Sequence, residues 1–176
     1  MRRRRRALAT ADPEASRRAA AVLPLATLLG FRVVAGYLPI GAEMDPGPVL
    51  ARFAGAGATI VFPVALAVDR PLVFRERVTA GALIVDAHGA YGPPDWAPRR
   101  TPDLVIAPIL AFDRAGGRLG QGAGAFDRTL AILRAAGDMF VIGLAFAGQE
   151  ATHVPLEPHD QRLDAILTEA EYILVR

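Results

Sequence analysis

Short apolar runs alternate along this chain with stretches of helical periodicity. Arg32 to Tyr37, Ala58 to Phe62, Leu104 to Leu110 and Met139 to Ala147 read as strands. The last two are nearly continuous in apolar residues, as a strand covered on both faces requires. Gly47 to Ala54 and Phe126 to Ala136 read as helices, the second offering Leu130, Ile132, Leu133 and Ala136 for packing. Such alternation predicts an α/β protein built on a mostly parallel sheet. Asp12-Pro13-Glu14 predicts a helix from Pro13, with Asp12 as cap, and Pro24 ends it near Leu23 because proline has no amide to donate. Pro71 to Arg75 is expected at a sheet edge, Tyr172 to Val175 is a candidate last strand, and the Gly- and Pro-rich stretch Asp86 to Pro102 reads as an ordered surface loop. No long linker or internal repeat divides the chain, so a single domain over residues 1–176 is expected.

Composition narrows the chemistry. The chain has no cysteine, which excludes thiolate nucleophiles, disulfides and Cys-based zinc sites and permits a reducing, cytoplasmic setting. All twenty basic residues are arginine, so lysine Schiff bases and a P-loop lysine are excluded and a phosphate clamp must use arginine or backbone amide. Net charge is +2, and a quarter of the basic residues lie in Arg2 to Arg6, so no general nucleic-acid surface is indicated. Phe53 to Val68 is apolar, but Pro63 and its glycines interrupt it, and it falls short of the roughly 20 residues of a membrane span. Asp12, Glu14 and Pro24 spoil the likeness of the N-terminus to an export signal. His88, His153 and His159 have no metal-ligand spacing. Trp96 and Tyr91 either line a pocket or form the small core of their own loop.

The richest segment runs from Arg118 through Gly120, Gln121, Gly122, Ala123, Gly124, Ala125 and Phe126 to Asp127 and Arg128. Alternate glycines that lead into a helix can aim several amides at one anion, with Arg118 and Arg128 adding charge and Asp127 placed to meet Mg²⁺. A plain turn, with glycines serving backbone geometry alone, fits the same spacing. Gly120, Gly122 and Ala125 also match the dinucleotide fingerprint of an NAD-binding oxidoreductase, yet about ten residues separate Leu110 from Gly120, where that fingerprint follows its strand directly.

Pro102-Asp103-Leu104-Val105-Ile106-Ala107-Pro108 through Asp113, then Gly117-Arg118-Leu119-Gly120-Gln121-Gly122 and Phe126-Asp127-Arg128, resembles the signature of the 5-formyltetrahydrofolate cyclo-ligase family. The likeness extends to Tyr37-Leu38-Pro39, Glu43-Met44-Asp45, Gly143 to Phe146, Glu157 to Asp160 and Leu163 to Glu169. It implies a three-layer α/β/α, Rossmann-like fold and the ATP- and Mg²⁺-dependent closure of 5-formyltetrahydrofolate to 5,10-methenyltetrahydrofolate, with ADP and phosphate released. It places the triphosphate at Arg118 and Gly120 to Arg128, the metal-associated acid at Asp127, and the folate near Leu38, Glu43 and Phe126. Catalysis then falls to Arg118 and Asp127 by charge neutralisation and positioning.

Three departures from the family pattern stand out. Ala125 replaces an aromatic or histidine, and Ala123 occupies a position often held by glycine or a basic residue. The family's N-terminal basic pair lies upstream of the segment matching Arg2 to Arg6, so either Arg2 and Arg3 substitute as nucleotide contacts or these arginines form a frayed, solvated terminus. A homologue with weakened catalysis is the alternative function. The expected partner is the folate substrate, without nucleic acid or membrane, in a monomer or weak homo-oligomer.

Overall fold

The computed structural model describes residues 1–77, 83–122 and 124–175. The chain opens with helices α1 (Arg2–Ala11) and α2 (Ala15–Val22), a short 3-10 turn, strand β1 (Val33–Ala35), helix α3 (Gly47–Gly55), and strands β2 (Thr59–Val64) and β3 (Val73–Glu76). Two small hairpins follow, β4 (Ile84–Val85) with β5 (Tyr91–Gly92) and, after strand β6 (Leu104–Pro108), β7 (Ala111–Phe112) with β8 (Arg118–Leu119). Helix α4 (Ala125–Ala136) and strands β9 (Phe140–Leu144), β10 (Ala165–Leu167) and β11 (Tyr172–Leu174) complete it.

Seven strands form one sheet in the order β11-β10-β9-β6-β1-β2-β3. Its interior pairs are parallel and both outermost pairs, β2 with β3 and β10 with β11, are antiparallel. Leu104, Val105, Ile106 and Ala107 of β6 are at most 1% exposed, as expected of a central strand. Residues from α2 and α3, such as Ala19, Val49 and Phe53, pack on one face of the sheet, and Leu130 of α4 packs on the other. The fold is therefore α/β with helices on both faces, in agreement with the three-layer expectation. The Asp103 carboxylate at the start of β6 accepts the amides of Arg32 and Val33 at 2.8 and 3.0 Å, which locks the start of β1 beside it.

Several expectations need correction. Arg2 to Arg6 are not frayed: they begin α1, whose Leu8 packs so closely on Gly148 that a Cβ there would lie 2.7 Å from it. Long arginine stems can lie along a surface while the charge stays in water, so a basic run is compatible with an ordered helix. Helix α2 begins at Ala15 rather than Pro13, with Glu14 rather than Asp12 at its N-cap; Asp12 instead closes α1 as its C-cap, and its carboxylate pairs with Arg18. Strand β1 spans half the length expected from Arg32 to Tyr37, because the chain leaves the sheet after Gly36, whose amide still donates to the Val61 carbonyl. The stretch Asp86 to Pro102 contains β5, and both Tyr91 and Trp96 are exposed, so neither forms a loop core.

Candidate functional site

The strand order reverses direction at β1: the next strand in sequence, β2, lies on one side and β6 on the other. Loops leaving the carboxyl ends of β1 and β6 must diverge there, and the crevice between them is the place where open α/β sheets bind ligands.

The β1 loop is tightly tied. Gly36 passes so near α3 that a Cβ would lie 2.3 Å from Leu50. Tyr37 is buried, and its hydroxyl donates to the Met44 carbonyl. Burial pushes this phenol well up, with Glu43 and Asp45 adding to the rise and Arg5 opposing it. Within the loop, the Ile40 amide donates to Glu43 Oε2 at 2.9 Å.

The β6 loop is built on two buried polar side chains. Gln149, 1% exposed, donates from Nε2 to the carbonyls of Ile109 and Leu110 at 2.8 and 3.0 Å and accepts the Phe146 amide at Oε1. Asp113 accepts the amides of Ala115, Gly117 and Val154, which holds the turn between β7 and β8. Burial opposes ionisation of Asp113, but those three amides outweigh it, with His153 assisting, so the carboxyl sits below its usual range. The hairpin fills the interval between β6 and the glycine segment. That segment starts directly after β8 and runs into α4.

Gly122 and Gly124 have φ of +100° and +62°, which side-chain-bearing residues rarely adopt. Among the described residues, nothing accepts from the amides of Gly120, Gln121, Gly122 or Ala125. Arg128 lies against Gly124, where a Cβ would be 3.0 Å from Nη1; its Nη2 donates to the Val68 carbonyl, and its buried Nε has no partner. The Arg118 side chain, 4% exposed, pairs with Asp127 Oδ1 at 2.5 Å, and the same oxygen accepts the Gln161 amide at 2.9 Å. Burial lowers the Arg118 pKa, while Asp127 and Asp160 oppose the shift.

The two loops meet at Glu43. Its side chain is 4% exposed, and Oε1 accepts from Gln121 Nε2 at 2.7 Å and from Arg5 Nη1 at 3.4 Å. The structure thus brings Glu43 and Gln121 together and places Arg118, Asp127 and Arg128 around the start of α4. Phe126 packs into the core on the α4 face, Ala125 is buried, and Ala123 lies outside the described residues. Arg2 and Arg3 are exposed on α1 and, among the described residues, make no hydrogen bond or ion pair to the glycine segment. Leu38 lines a separate cavity of about 500 Å³ between the β1 loop, α3 and β2, with Tyr37, Asp45, Leu50 and Arg77 among its walls. Glu43 is not part of those walls.

Sequence reasoning missed Arg5, Gln149 and the anchoring role of Asp113. The signal for Arg5 is its spacing of three from Leu8, which puts both on one helix face. Nothing in the local pattern marks Gln149.

The donor set fits a polyphosphate: amides at a helix start with arginines beside them. Among the described residues no three acids or histidines cluster as a metal cage. Mg²⁺ is commonly held by one or two carboxylates together with substrate phosphates, and Asp127, whose hydrogen bonds both fall on Oδ1, suits that arrangement. A glycine loop opening a helix beside a carboxylate, at the switch point of a parallel sheet, defines an α/β protein of the kind that binds nucleotides and small molecules.

A model of the 5-formyltetrahydrofolate cyclo-ligase family matches residues 1–169, and the chain belongs to that family. It is 35% identical to a 5-formyltetrahydrofolate cyclo-ligase of Mycolicibacterium smegmatis over 78% of this chain and 73% of that one, and 28% identical to the Escherichia coli protein of that name over 96% of each. Its fold resembles those of the 5,10-methenyltetrahydrofolate synthetases of Aquifex aeolicus (TM-score 0.72, 23% identity, covering 100% of this chain and 85% of that one) and Mycoplasma pneumoniae (0.70, 22%, 95% and 93%). The NAD-oxidoreductase reading falls with this membership, and also because Gly120 follows an antiparallel hairpin rather than a parallel strand. No described helix is long and apolar enough to cross a membrane.

Proposed function

We propose that this protein converts 5-formyltetrahydrofolate to 5,10-methenyltetrahydrofolate at the expense of ATP, with Mg²⁺. Family membership supports the reaction. The observation that supports its placement is the 2.7 Å contact between Gln121 and Glu43, which joins the glycine loop to the carboxylate loop at the switch point.

In this reading Glu43 accepts hydrogen bonds from the amino and ring N–H groups of the pterin. The loop Gly120 to Gly124 and the start of α4 hold the phosphates by their amides, with Arg118 and Arg128 as the charged groups. Asp127 would hold Mg²⁺, which neutralises charge on the phosphates. The formyl oxygen takes the γ-phosphoryl group and ADP leaves. N10 then attacks the activated formyl carbon and gives up its proton, and departure of phosphate, which carries that proton away, completes the ring. No side chain is covalently modified, so the protein's contribution is to orient the reactants, neutralise charge and exclude water. The absence of cysteine and lysine is compatible with that.

The test follows the near-ultraviolet absorbance of the methenyl product in assays that omit one component at a time. Product is expected only with 5-formyltetrahydrofolate, ATP and Mg²⁺ together, and turnover without ATP would overturn the reading.

A further inference from the structure

Arg5 is the one arginine of the N-terminal run that is buried, at 7% exposed. Its hydrogen bond among the described residues goes to Glu43, and its Nε is buried without a partner. At 3.4 Å the contact is long for a hydrogen bond, whereas Gln121 and Ile40 hold the same carboxylate at 2.7 and 2.9 Å. The neutral donors therefore set its orientation, and Arg5 contributes charge. Among the described residues, the buried Tyr37 phenol beside it feels Glu43, Asp45 and Arg5, and of these only Arg5 is positive.

A pterin that binds both oxygens of Glu43 through its amino and ring N–H groups needs room on Oε1, which Gln121 and Arg5 already occupy; displacing Gln121 replaces that amide in kind. The pterin N–H groups bring no positive charge. On binding, a carboxylate whose side chain is already 4% exposed is covered further, and a buried charge left without a counter-charge is costly. We propose that Arg5 is a positioning residue for folate binding, the retained counter-ion that holds the Glu43 carboxylate in place once the pterin has displaced Gln121. The inference rests on the assignment of Glu43 to the pterin. It gives the otherwise solvated arginine run one committed member and ties α1 to the folate loop.

The test measures binding of 5-formyltetrahydrofolate without ATP, by calorimetry, for the wild type, Arg5→Met, Arg5→Lys and Glu43→Gln. Arg5→Met is expected to bind about tenfold more weakly, while affinity for a non-hydrolysable ATP analogue changes little. Arg5→Lys should recover most of the affinity. A deficit shared with the ATP analogue, or one that Arg5→Lys does not recover, would reduce Arg5 to docking α1 and overturn the proposal. If Glu43→Gln binds folate as the wild type does, the assignment of Glu43 itself fails, an outcome separable from failure at Arg5 alone.

Discussion

Replacing Arg118 by Met would leave the Asp127 carboxylate with the Gln161 amide as its remaining partner. The two side chains are 4% and 16% exposed, so solvent screens the lost charge poorly. Removing one member of a buried pair costs about 3–5 kcal/mol because the other is stranded. The residual exposure of Asp127 places this case near the lower end, about 3 kcal/mol. For a chain of this size that lowers the unfolding midpoint by roughly 6–12 °C. The double variant Arg118→Met/Asp127→Asn strands no charge and is expected to be more stable than the sum of the single losses by about 2 kcal/mol. Urea unfolding of all four proteins, with unchanged slope, measures that coupling. Losses that add to within about 0.5 kcal/mol would mean that the pair is not formed in solution.

Asp113 gives a pH-dependent case. A carboxyl whose folded pKa lies below its unfolded value contributes stability that is present above about pH 4 and lost as pH falls through the folded pKa. Asp113→Asn should therefore be less stable than the wild type by about 1–3 kcal/mol at pH 7, with the gap shrinking toward pH 3, as unfolding curves at the two pH values would reveal. Asp127→Asn should raise the Mg²⁺ concentration for half-maximal activity by about tenfold and recover partly with added Mg²⁺, whereas Arg118→Ala should not. Titrations that leave both variants like the wild type would remove the ATP site from this loop.

The apolar runs located six of the seven strands of the main sheet but neither of the two small hairpins. Leu104 to Leu110 is central and parallel, and the proline at the start of Pro71 to Arg75 correctly put that segment at an edge. Strand β10 escaped notice because its apolar run is only Ala165-Ile166-Leu167, cut off by Asp164 and Thr168, too short to mark a strand. Helix α1 escaped because charge dominates its composition, while its docking depends on Leu8 and a distant glycine. The glycine segment stood out, but its distance from β6 could be understood only once the hairpin held by Asp113 was seen to fill it. Glu43 and Gln121 lie 78 positions apart, and their meeting follows from the strand order, which no local pattern encodes.

The antiparallel borders of the sheet also govern how the molecule behaves toward its own kind. The outer side of β3 is not bare: the Glu76 amide donates to Pro98, the Arg100 amide donates to Phe74, and Arg75 bridges to Arg99. The opposite border, β11, offers a three-residue edge. A folded copy therefore presents little backbone on which another strand can grow. A parallel sheet assembled from distant segments forms late, however, and until residues 98–100 and β11 are in place its rims stand open. Crowded refolding, rather than storage of the native protein, is where this chain should aggregate.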